Sequence, residues 1–362
     1  MTEVKAIVAK DATSPLEPGK ITRRTPGKFD VVIKTAYAGI CHSDIHTARN
    51  EWNEYWGNTT YPIVVGHEIA GIVTEVGSAV TKFKVGQKAG VGCIVDSCRT
   101  CSSCHAGNEN YCIGGGMVGT YGGRFKYPHC VEYTPDGGNR TQGGYSETIV
   151  VDENYALSIP DNLDFSAVAP LLCAGITTYS PLMYYGLRPN QRLAVAGLGG
   201  LGHMAVKFGV AFGAHVTVLS RGNAKRESAL NDLKAHAYVD VTNKEEWKTV
   251  QSSFDLIINT IAADFNIELY TELLAVNGQM VMVGVPGTAQ KVYLQALVPK
   301  RRSIAASMIG GIQETQEMLD FCGRHNIVCD VEVINASQVN EAWERTVKGD
   351  VKYRFVIDVS TL

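Results

Sequence analysis

The segment Leu193-Ala-Val-Ala-Gly197-Leu-Gly199-Gly-Leu-Gly202-His-Met-Ala-Val206 joins a short apolar run to a glycine-rich turn and then to apolar residues at helical spacing. A strand, a tight turn and a helix form the context in which a G-x-G-x-x-G motif binds a dinucleotide. Gly197 allows the turn, Gly199 lets the backbone approach a diphosphate, and Gly202 allows close packing of helix on strand. The helix N-terminus favours the bound anion. The alternative is a glycine-rich turn in an ordinary α/β protein. The residues predicted to contact the cofactor here are Gly197, Gly199, Gly200, Leu201 and Gly202.

The end of the next apolar run predicts which dinucleotide is bound. His215-Val-Thr-Val-Leu-Ser220 is followed by Arg221 and, four residues later, by Lys225. A unit that binds NAD places Asp or Glu here, to accept hydrogen bonds from the ribose 2′-hydroxyl. A small hydroxyl and two cations suit a 2′-phosphate instead. The sequence therefore predicts NADP(H), with a solvated basic turn as the alternative.

Composition restricts the class of protein. The chain has 362 residues, 45% of them hydrophobic and 19% charged, which describes a globular protein of about two domains. A net charge of −3 argues against a nucleic-acid or membrane-surface partner. The first residues lack the form of a signal peptide, and no apolar run approaches transmembrane length. Ten cysteines without such a signal indicate thiols or metal ligands in a reducing compartment, so we expect a cytoplasmic chain.

Strand and helix patterns divide the chain into two parts. The first part alternates as β-strands do, with Pro and Gly between the runs. Beyond the glycine motif, apolar runs ending near Thr260, Gly284 and Gly310 alternate with helical stretches, which predicts a doubly wound parallel sheet. We expect an α/β protein in which residues 1–155, completed by 311–362, form a β-rich domain and residues 156–310 form the cofactor domain.

Four cysteines lie at the spacing C-x2-C-x2-C-x7-C: Cys98, Cys101, Cys104 and Cys112. This spacing allows one loop to close a tetrahedral Zn–S4 site. Four thiolates saturate the metal, so the site would be structural. The alternative is four unrelated thiols. Cys93 and His105 lie outside this register and are not assigned to the site.

Three further places carry metal-binding or proton-transferring groups. The segment Gly39–His46 holds Cys41, Ser43 and Asp44 within a few residues, although a structural cysteine beside surface histidines remains the alternative. His67 and Glu68 lie between two apolar β-like runs, where burial is costly unless they are paired or bound to metal. A ligand role for His67 is therefore favoured. Cys173 lies in an apolar helical stretch, where a packed core thiol is the usual case.

Taken together, these features resemble the zinc-dependent medium-chain alcohol dehydrogenases, and most closely the cinnamyl alcohol dehydrogenase-like branch. The matching segments begin at Gly39, Gly66, Cys98, Pro170 and Gly197 and continue to Asp350-Val-Lys-Tyr-Arg-Phe. The resemblance implies a GroES-like catalytic domain and a Rossmann cofactor domain. It also implies two zinc ions per subunit, the catalytic one held by Cys41, His67 and Cys173. Three protein ligands with an open fourth position are what a catalytic zinc requires.

The resemblance assigns roles to further residues. Glu68 would lie beside the metal and take a coordination position during ligand exchange, and Asp44 would orient the ligand histidine. Ser43 would exchange a proton with the metal-bound oxygen and pass it through the cofactor ribose to His46 and solvent. Thr177 would pack against the nicotinamide. The remaining residues assigned to the cofactor are Val283, Gly284, Ser307 and Ile309.

The expected activity is hydride transfer between NADP(H) and a primary alcohol or aldehyde, with aromatic or medium-chain aldehydes favoured and broad tolerance. A polyol dehydrogenase of the same superfamily and a non-catalytic zinc- and NADPH-binding protein are the alternatives. Family analogy suggests a homodimer joined around residues 293–308. Tyr121–Arg140 is longer and more polar than in typical plant members, which leaves the substrate pocket open. Trp52 and Trp56 either line that pocket or anchor their loop.

Overall fold

The computed structural model describes residues 1–130 and 140–362, with the side chains of Tyr55, Trp56 and Cys130 left out. The expectations for the Trp56 ring and for residues 131–139 of the Tyr121–Arg140 loop lie outside the described residues. The strands are β1 Thr2–Val8, β2 Glu17–Arg23, β3 Asp30–Gly39, β4 Ile69–Val76, β5 Lys88–Val91, β6 Ile94–Asp96, β7 Val118–Gly119, β8 Thr148–Asp152, β9 Leu157–Ser158, β10 Arg192–Ala196, β11 His215–Ser220, β12 Ala237–Asp240, β13 Phe254–Asn259, β14 Leu274–Met282, β15 Ser303–Ala306, β16 Val331–Asn335 and β17 Arg354–Asp358. The helices are α1 His42–Ala48, α2 Asn53–Trp56, α3 Ser102–His105, α4 Phe165–Val168, α5 Ala174–Tyr184, α6 Gly202–Ala211, α7 Lys244–Thr249, α8 Ile267–Glu272, α9 Leu294–Leu297, α10 Ile312–His325 and α11 Val339–Lys348.

The chain forms two compact units, Met1–Cys173 with Gly310–Leu362, and Ala174–Ile309. The sequence placed the first boundary at 155/156 instead. Residues 156–173 belong to the first unit because β9 pairs with β5, and because α4 and the 3₁₀ turn Ala169–Leu172 contact β3 and β4. The return of the chain at Gly310 lies one residue from the expected position.

The first unit is rich in β-structure. Its main sheet has the strand order β16-β17-β3-β4-β5-β9, with β8 also pairing with β3. All its pairs are antiparallel except β16 with β17. Two antiparallel ribbons, β1–β2 and β6–β7, complete it. Helices α1 and α11 pack on a core of mainly aliphatic side chains, which surround the aromatic residues Tyr145, Trp343 and Phe355. This is the β-rich, GroES-like architecture that the sequence predicts.

The second unit is a six-stranded sheet in the order β12-β11-β10-β13-β14-β15, with every pair parallel. Counted from β10, the order is 3-2-1-4-5-6, the Rossmann order, and the predicted doubly wound parallel sheet is confirmed. The strand order reverses at β10 and β13, and ligands bind outside the carboxyl ends of strands at such a switch point. Gly197 and Thr260 directly follow these two strands.

Within residues 1–130 and 140–362, no single helix is long and apolar enough to cross a membrane. Only the consecutive pair Phe165–Leu172 and Ala174–Tyr184 reaches the required length and composition together.

Candidate metal centres and cofactor site

One buried carboxylate connects the segments that carry Cys41 and His67. Asp44, in the first turn of α1, accepts hydrogen bonds from the backbone N–H of Cys41 at 2.9 Å and of Gly66 at 3.2 Å, and from the Tyr145 hydroxyl at 3.1 Å. Gly66 has φ +104°, and a Cβ there would lie 2.5 Å from the Tyr145 ring. The backbone before His67 is thus fixed against α1, although the two segments are distant in sequence.

Cys41, His67, Glu68 and Cys173 form a buried cluster in which one potential ligand atom from each lies within 4.8 Å of all the others. The sulfur atoms of Cys41 and Cys173 are 3.8 Å apart. Two thiolates on one tetrahedral zinc, with Zn–S bonds of about 2.3 Å, would be separated by about 3.8 Å. The buried Nε2 atom of His67 has no hydrogen-bond partner among the described residues. Both observations fit a zinc ion.

Charge in this cluster is balanced by an arginine that the sequence reasoning did not assign. Arg354, in β17, forms a buried ion pair with Oε1 of Glu68, while Oε2 has no hydrogen-bond partner within the described chain. Burial raises the pKa of Glu68 to about 8 against the opposing charge of Arg354. A hydrogen bond from Cys173 and the nearby charges of Arg354 and His67 hold the pKa of the Cys41 thiol well below its ordinary value. The only sequence signal was an arginine beginning the apolar run Arg354-Phe-Val-Ile.

The second ring nitrogen of His67 has two neighbours. Nδ1 lies 3.0 Å from the Tyr121 hydroxyl and 3.4 Å from Oδ1 of Asp44, the residue expected to orient the ring. The rings of Tyr121 and His67 also stack, with centroids 5.5 Å apart. Sequence reasoning gave Tyr121 no role, because it begins a loop without a recognisable motif.

Ser43 and His46, the expected proton-relay residues, both lie on α1. The Ser43 hydroxyl is 3.6 Å from the Cys41 sulfur, and His46 Nδ1 is 2.5 Å from the Glu51 carboxylate. The His46 side chain is 32% exposed and stacks on Trp52 at 4.9 Å. This stacking favours the anchoring alternative for Trp52.

Cys93, which the sequence reasoning left out, lies beside the Cys41 cluster. Interaction with Cys173 lowers the pKa of the Cys93 thiol to about 5, and the charge of His67 acts in the same direction. No spacing motif includes Cys93, and only the fold places it beside the Cys41 cluster.

The four cysteines of the loop form a second cluster, with ligand atoms within 4.8 Å of one another. The sulfur of Cys104 is 3.8 Å from that of Cys98 and 3.5 Å from that of Cys101, and Cys101 is 4.0 Å from Cys112. These separations are close to the spacing of about 3.8 Å expected around a tetrahedral zinc. The backbone N–H of Cys101 and the Ser97 hydroxyl make hydrogen bonds to the sulfurs of Cys98 and Cys104. The residues fit a structural zinc.

The glycine motif lies where the sequence expected it, between β10 and α6. Gly197 has φ +89°, and a Cβ on Gly202 would lie 2.0 Å from the Gly197 carbonyl oxygen, so strand and helix require both glycines. A Cβ on Gly199 would meet nothing within 4 Å. The open side of Gly199 gives the diphosphate of a dinucleotide room to approach the backbone.

Ser220 ends β11, and Arg221 after it is exposed, with no hydrogen bond or ion pair in the described part of the chain. Lys225 folds back and donates to the Leu198 carbonyl oxygen at 2.7 Å. Arg226, in contrast, is held by Glu246. Two cations therefore lie at the end of β11, one of them over the glycine turn, and neither is engaged with a carboxylate.

The other residues assigned to the cofactor lie in the same unit. Val283 and Gly284 follow β14, and both N–H groups donate to the Asn259 carbonyl oxygen at the end of β13. Ser307 follows β15, and Ile309, with φ +42°, ends the unit. Thr177 is buried in α5.

Comparison with known proteins gives one consistent result. The family model for an alcohol dehydrogenase GroES-like domain matches residues 27–161, and that for a zinc-binding dehydrogenase matches residues 200–324. An NADP-dependent alcohol dehydrogenase of Mycolicibacterium smegmatis is 51% identical over 100% of this chain and 99% of its own. An aldehyde reductase of Escherichia coli is 51% identical over 99% of both. The solved structure of a cinnamyl alcohol dehydrogenase from Sorghum bicolor superposes with a TM-score of 0.92 at 43% identity, covering 99% of this chain and 98% of that one.

Proposed function

Because this chain belongs to the zinc-dependent medium-chain alcohol dehydrogenases, in the cinnamyl alcohol dehydrogenase-like branch, we propose that Cys41, His67 and Cys173 hold its catalytic zinc. The chain is an NADP-dependent oxidoreductase that interconverts alcohols and aldehydes, as the sequence predicted. The observation that carries the proposal is the pair of sulfurs 3.8 Å apart beside an unpartnered, buried Nε2 of His67. We assign Cys98, Cys101, Cys104 and Cys112 to a structural zinc.

A zinc ion with three protein ligands supplies a Lewis acid that polarises the oxygen of an aldehyde or alcohol. Around it, the chain holds the ligands and moves the proton. Asp44 fixes the backbone of Cys41 and of Gly66, and Arg354 balances the charge of Glu68, which lies within ligand distance of the cluster.

Proton transfer is the proposed role of α1. Ser43, beside the Cys41 sulfur, exchanges the proton of the substrate oxygen, and His46 passes it to solvent. The Nδ1 atom of His46 contacts the Glu51 carboxylate, and the partial exposure of the ring lets the proton pass to solvent. A ring with two exchangeable nitrogens suits this step.

For the cofactor, we propose that Ser220, Arg221 and Lys225 bind the 2′-phosphate of NADP(H). Gly197, Gly199, Gly200, Leu201 and Gly202 bind its diphosphate. The rest of the cofactor is contacted by Thr177, Val283, Gly284, Ser307 and Ile309. The expected boundary at 155/156 would separate Cys173 from the other metal ligands, so we propose that the metal chemistry belongs to Met1–Cys173 with Gly310–Leu362 and the cofactor chemistry to Ala174–Ile309. We propose primary aromatic or medium-chain aldehydes as substrates.

A homodimer and a cytoplasmic location complete the proposal. Strand β15 is a terminal strand of its sheet, and Tyr293, Leu294 and Val298 nearby are exposed apolar residues. Light scattering on the purified chain should give twice the monomer mass, and the monomer mass would contradict the dimer. None of the nine described cysteines is in a disulfide, which suits a reducing compartment.

The deciding experiment measures initial rates of NADPH and NADH oxidation with a panel of aromatic and aliphatic aldehydes. We expect NADPH-dependent reduction that is lost on metal removal and in Cys41→Ala and His67→Ala. Full turnover in either variant would contradict the zinc assignment. Faster NAD-linked oxidation of sorbitol-like polyols would favour the polyol alternative, and a zinc- and NADPH-loaded chain without turnover would favour the binding protein.

A further inference from the structure

The hydroxyl of Tyr121 contacts His67 at Nδ1, the ring nitrogen that is not the proposed metal ligand. We propose that Tyr121 is a positioning residue, which fixes the orientation and tautomer of His67 by accepting a hydrogen bond from its Nδ1–H. The inference rests on the proposed function, since it takes His67 Nε2 as a metal ligand. It gives Tyr121 the contact that the sequence expected of Asp44.

The distances favour the tyrosine. Nδ1 of His67 is 3.0 Å from the Tyr121 oxygen, within hydrogen-bonding range, and 3.4 Å from Oδ1 of Asp44, beyond the usual N–H···O distance. The Asp44 carboxylate is already engaged by two backbone N–H groups and the Tyr145 hydroxyl. Tyr121 also interacts with Asp44, so its hydroxyl can accept from His67 and donate to the carboxylate.

The chemistry requires a partner at Nδ1. A neutral imidazole that binds metal through Nε2 carries its proton on Nδ1, and a buried N–H needs an acceptor. A phenol oxygen supplies that acceptor without adding a charge next to the metal. Because the ring of Tyr121 also stacks on that of His67, two contacts restrain the rotation of the imidazole.

The backbone holds Tyr121 firmly on both sides. The ribbon of β6 and β7 ends just before it, where Thr120 donates through its N–H to the Cys93 carbonyl oxygen at 3.2 Å and through its hydroxyl to that of Gly92. After it, the Gly122 N–H donates to the Thr141 carbonyl oxygen at 3.0 Å. The backbone that carries the Tyr121 side chain is therefore fixed on both sides.

The same ribbon extends to the four-cysteine cluster. Strand β6 leads into Cys98, and β7 follows Cys112. On the far side of Tyr121, the His129 ring contacts both oxygens of Asp96, at 2.9 and 3.0 Å. The ribbon that precedes Tyr121 is therefore continuous along the chain with the four-cysteine loop.

The test compares Tyr121→Phe with wild type and with Tyr61→Phe. Tyr121→Phe removes one oxygen and keeps the stacked ring. Tyr61 is the matched control, because its hydroxyl makes a hydrogen bond of 2.6 Å to the Ala48 carbonyl and contacts neither cluster. Zinc affinity is measured by competition with a colorimetric chelator, and the catalytic site is then loaded with Co²⁺ to record the ligand-field spectrum. Thermal unfolding of each variant reports its folding.

We expect Tyr121→Phe to weaken zinc binding at the catalytic site by 10- to 100-fold, the usual effect of losing a partner of a metal-bound histidine, and to shift the Co²⁺ bands. Tyr61→Phe should change neither. Affinity within threefold of wild type together with an unchanged spectrum would overturn the inference. His67→Ala separates the two proposals: if it keeps both metals, the proposed site is wrong, and if it loses one while Tyr121→Phe binds normally, only the role of Tyr121 is wrong.

Discussion

Replacement of Arg221 by Asp tests which groups select the cofactor. Arg221 is exposed and has no protein partner among the described residues, so its guanidinium is available to a 2′-phosphate. Lys225 is half-buried and engaged with the Leu198 carbonyl, which leaves Arg221 as the freer of the two cations. Arg221→Asp removes this cation and adds a carboxylate of the kind that NAD-binding units use for the 2′-hydroxyl.

The magnitude follows from the exposure of the site. Loss of charge-assisted hydrogen bonds to a phosphate costs about 1.5–3 kcal/mol. Repulsion between the new carboxylate and the phosphate, about 4 Å apart in a water-like dielectric, adds about 1 kcal/mol. The total of about 2.5–4 kcal/mol corresponds to a loss of NADPH affinity of roughly 60- to 700-fold at about 1.4 kcal/mol per tenfold. NADH affinity should stay the same or improve.

Fluorescence titration with NADPH and NADH at fixed salt gives both dissociation constants, and higher salt should reduce the difference. Arg192→Asp is the matched control. Arg192 is also exposed, but it lies at the amino end of β10, whereas the glycine turn follows the carboxyl end. An unchanged ratio of NADPH to NADH affinity in Arg221→Asp, or an equal change in Arg192→Asp, would refute the assignment of the 2′-phosphate to Arg221.

Three further predictions concern the metal, the glycine turn and the core. Cys104→Ser should reduce zinc content from two ions to one and lower the Tm more than His67→Ala does, because a structural zinc contributes directly to folding; an equal Tm in both variants would contradict this. Gly202→Ala should weaken NADPH binding and lower the free energy of unfolding by about 1–3 kcal/mol, because the new Cβ would lie 2.0 Å from the Gly197 carbonyl oxygen. Gly287→Ala is the control: it has open space around it and should change neither quantity. Arg24→Met should lower the free energy of unfolding by about 3–5 kcal/mol in urea titration, because it removes the ion-pair partner of the buried Asp30. Lys20→Met breaks only an exposed pair with Glu3 and should lower it by less than about 1 kcal/mol. Similar losses in the two variants would argue against a buried ion pair.

Local sequence patterns were sufficient to predict the features that a single short segment determines. The glycine turn between β10 and α6 was predictable because Gly197 and Gly202 satisfy backbone requirements within six residues. The four-cysteine cluster was predictable because a single loop carries all four sulfur atoms at a spacing that allows one tetrahedral site. The basic end of β11 was readable because Ser220 and Arg221 stand where a parallel strand ends, and the NADP prediction is confirmed by the relatives.

The tertiary structure determined the contacts between segments that are distant in the sequence. Cys41, His67 and Cys173 meet because β3, β4 and the turn before α5 converge, and no spacing rule links them. The sequence favoured a ligand role for His67 from its apolar surroundings, but it joined the three residues only through a family resemblance. Arg354 and Tyr121 were not foreseen at all. Each contacts a partner far along the chain, Glu68 in the case of Arg354 and His67 in the case of Tyr121. Short-range patterns reflect the conformational requirements of the local backbone. Contacts such as those of Arg354 and Tyr121 exist only after the fold has brought distant segments together.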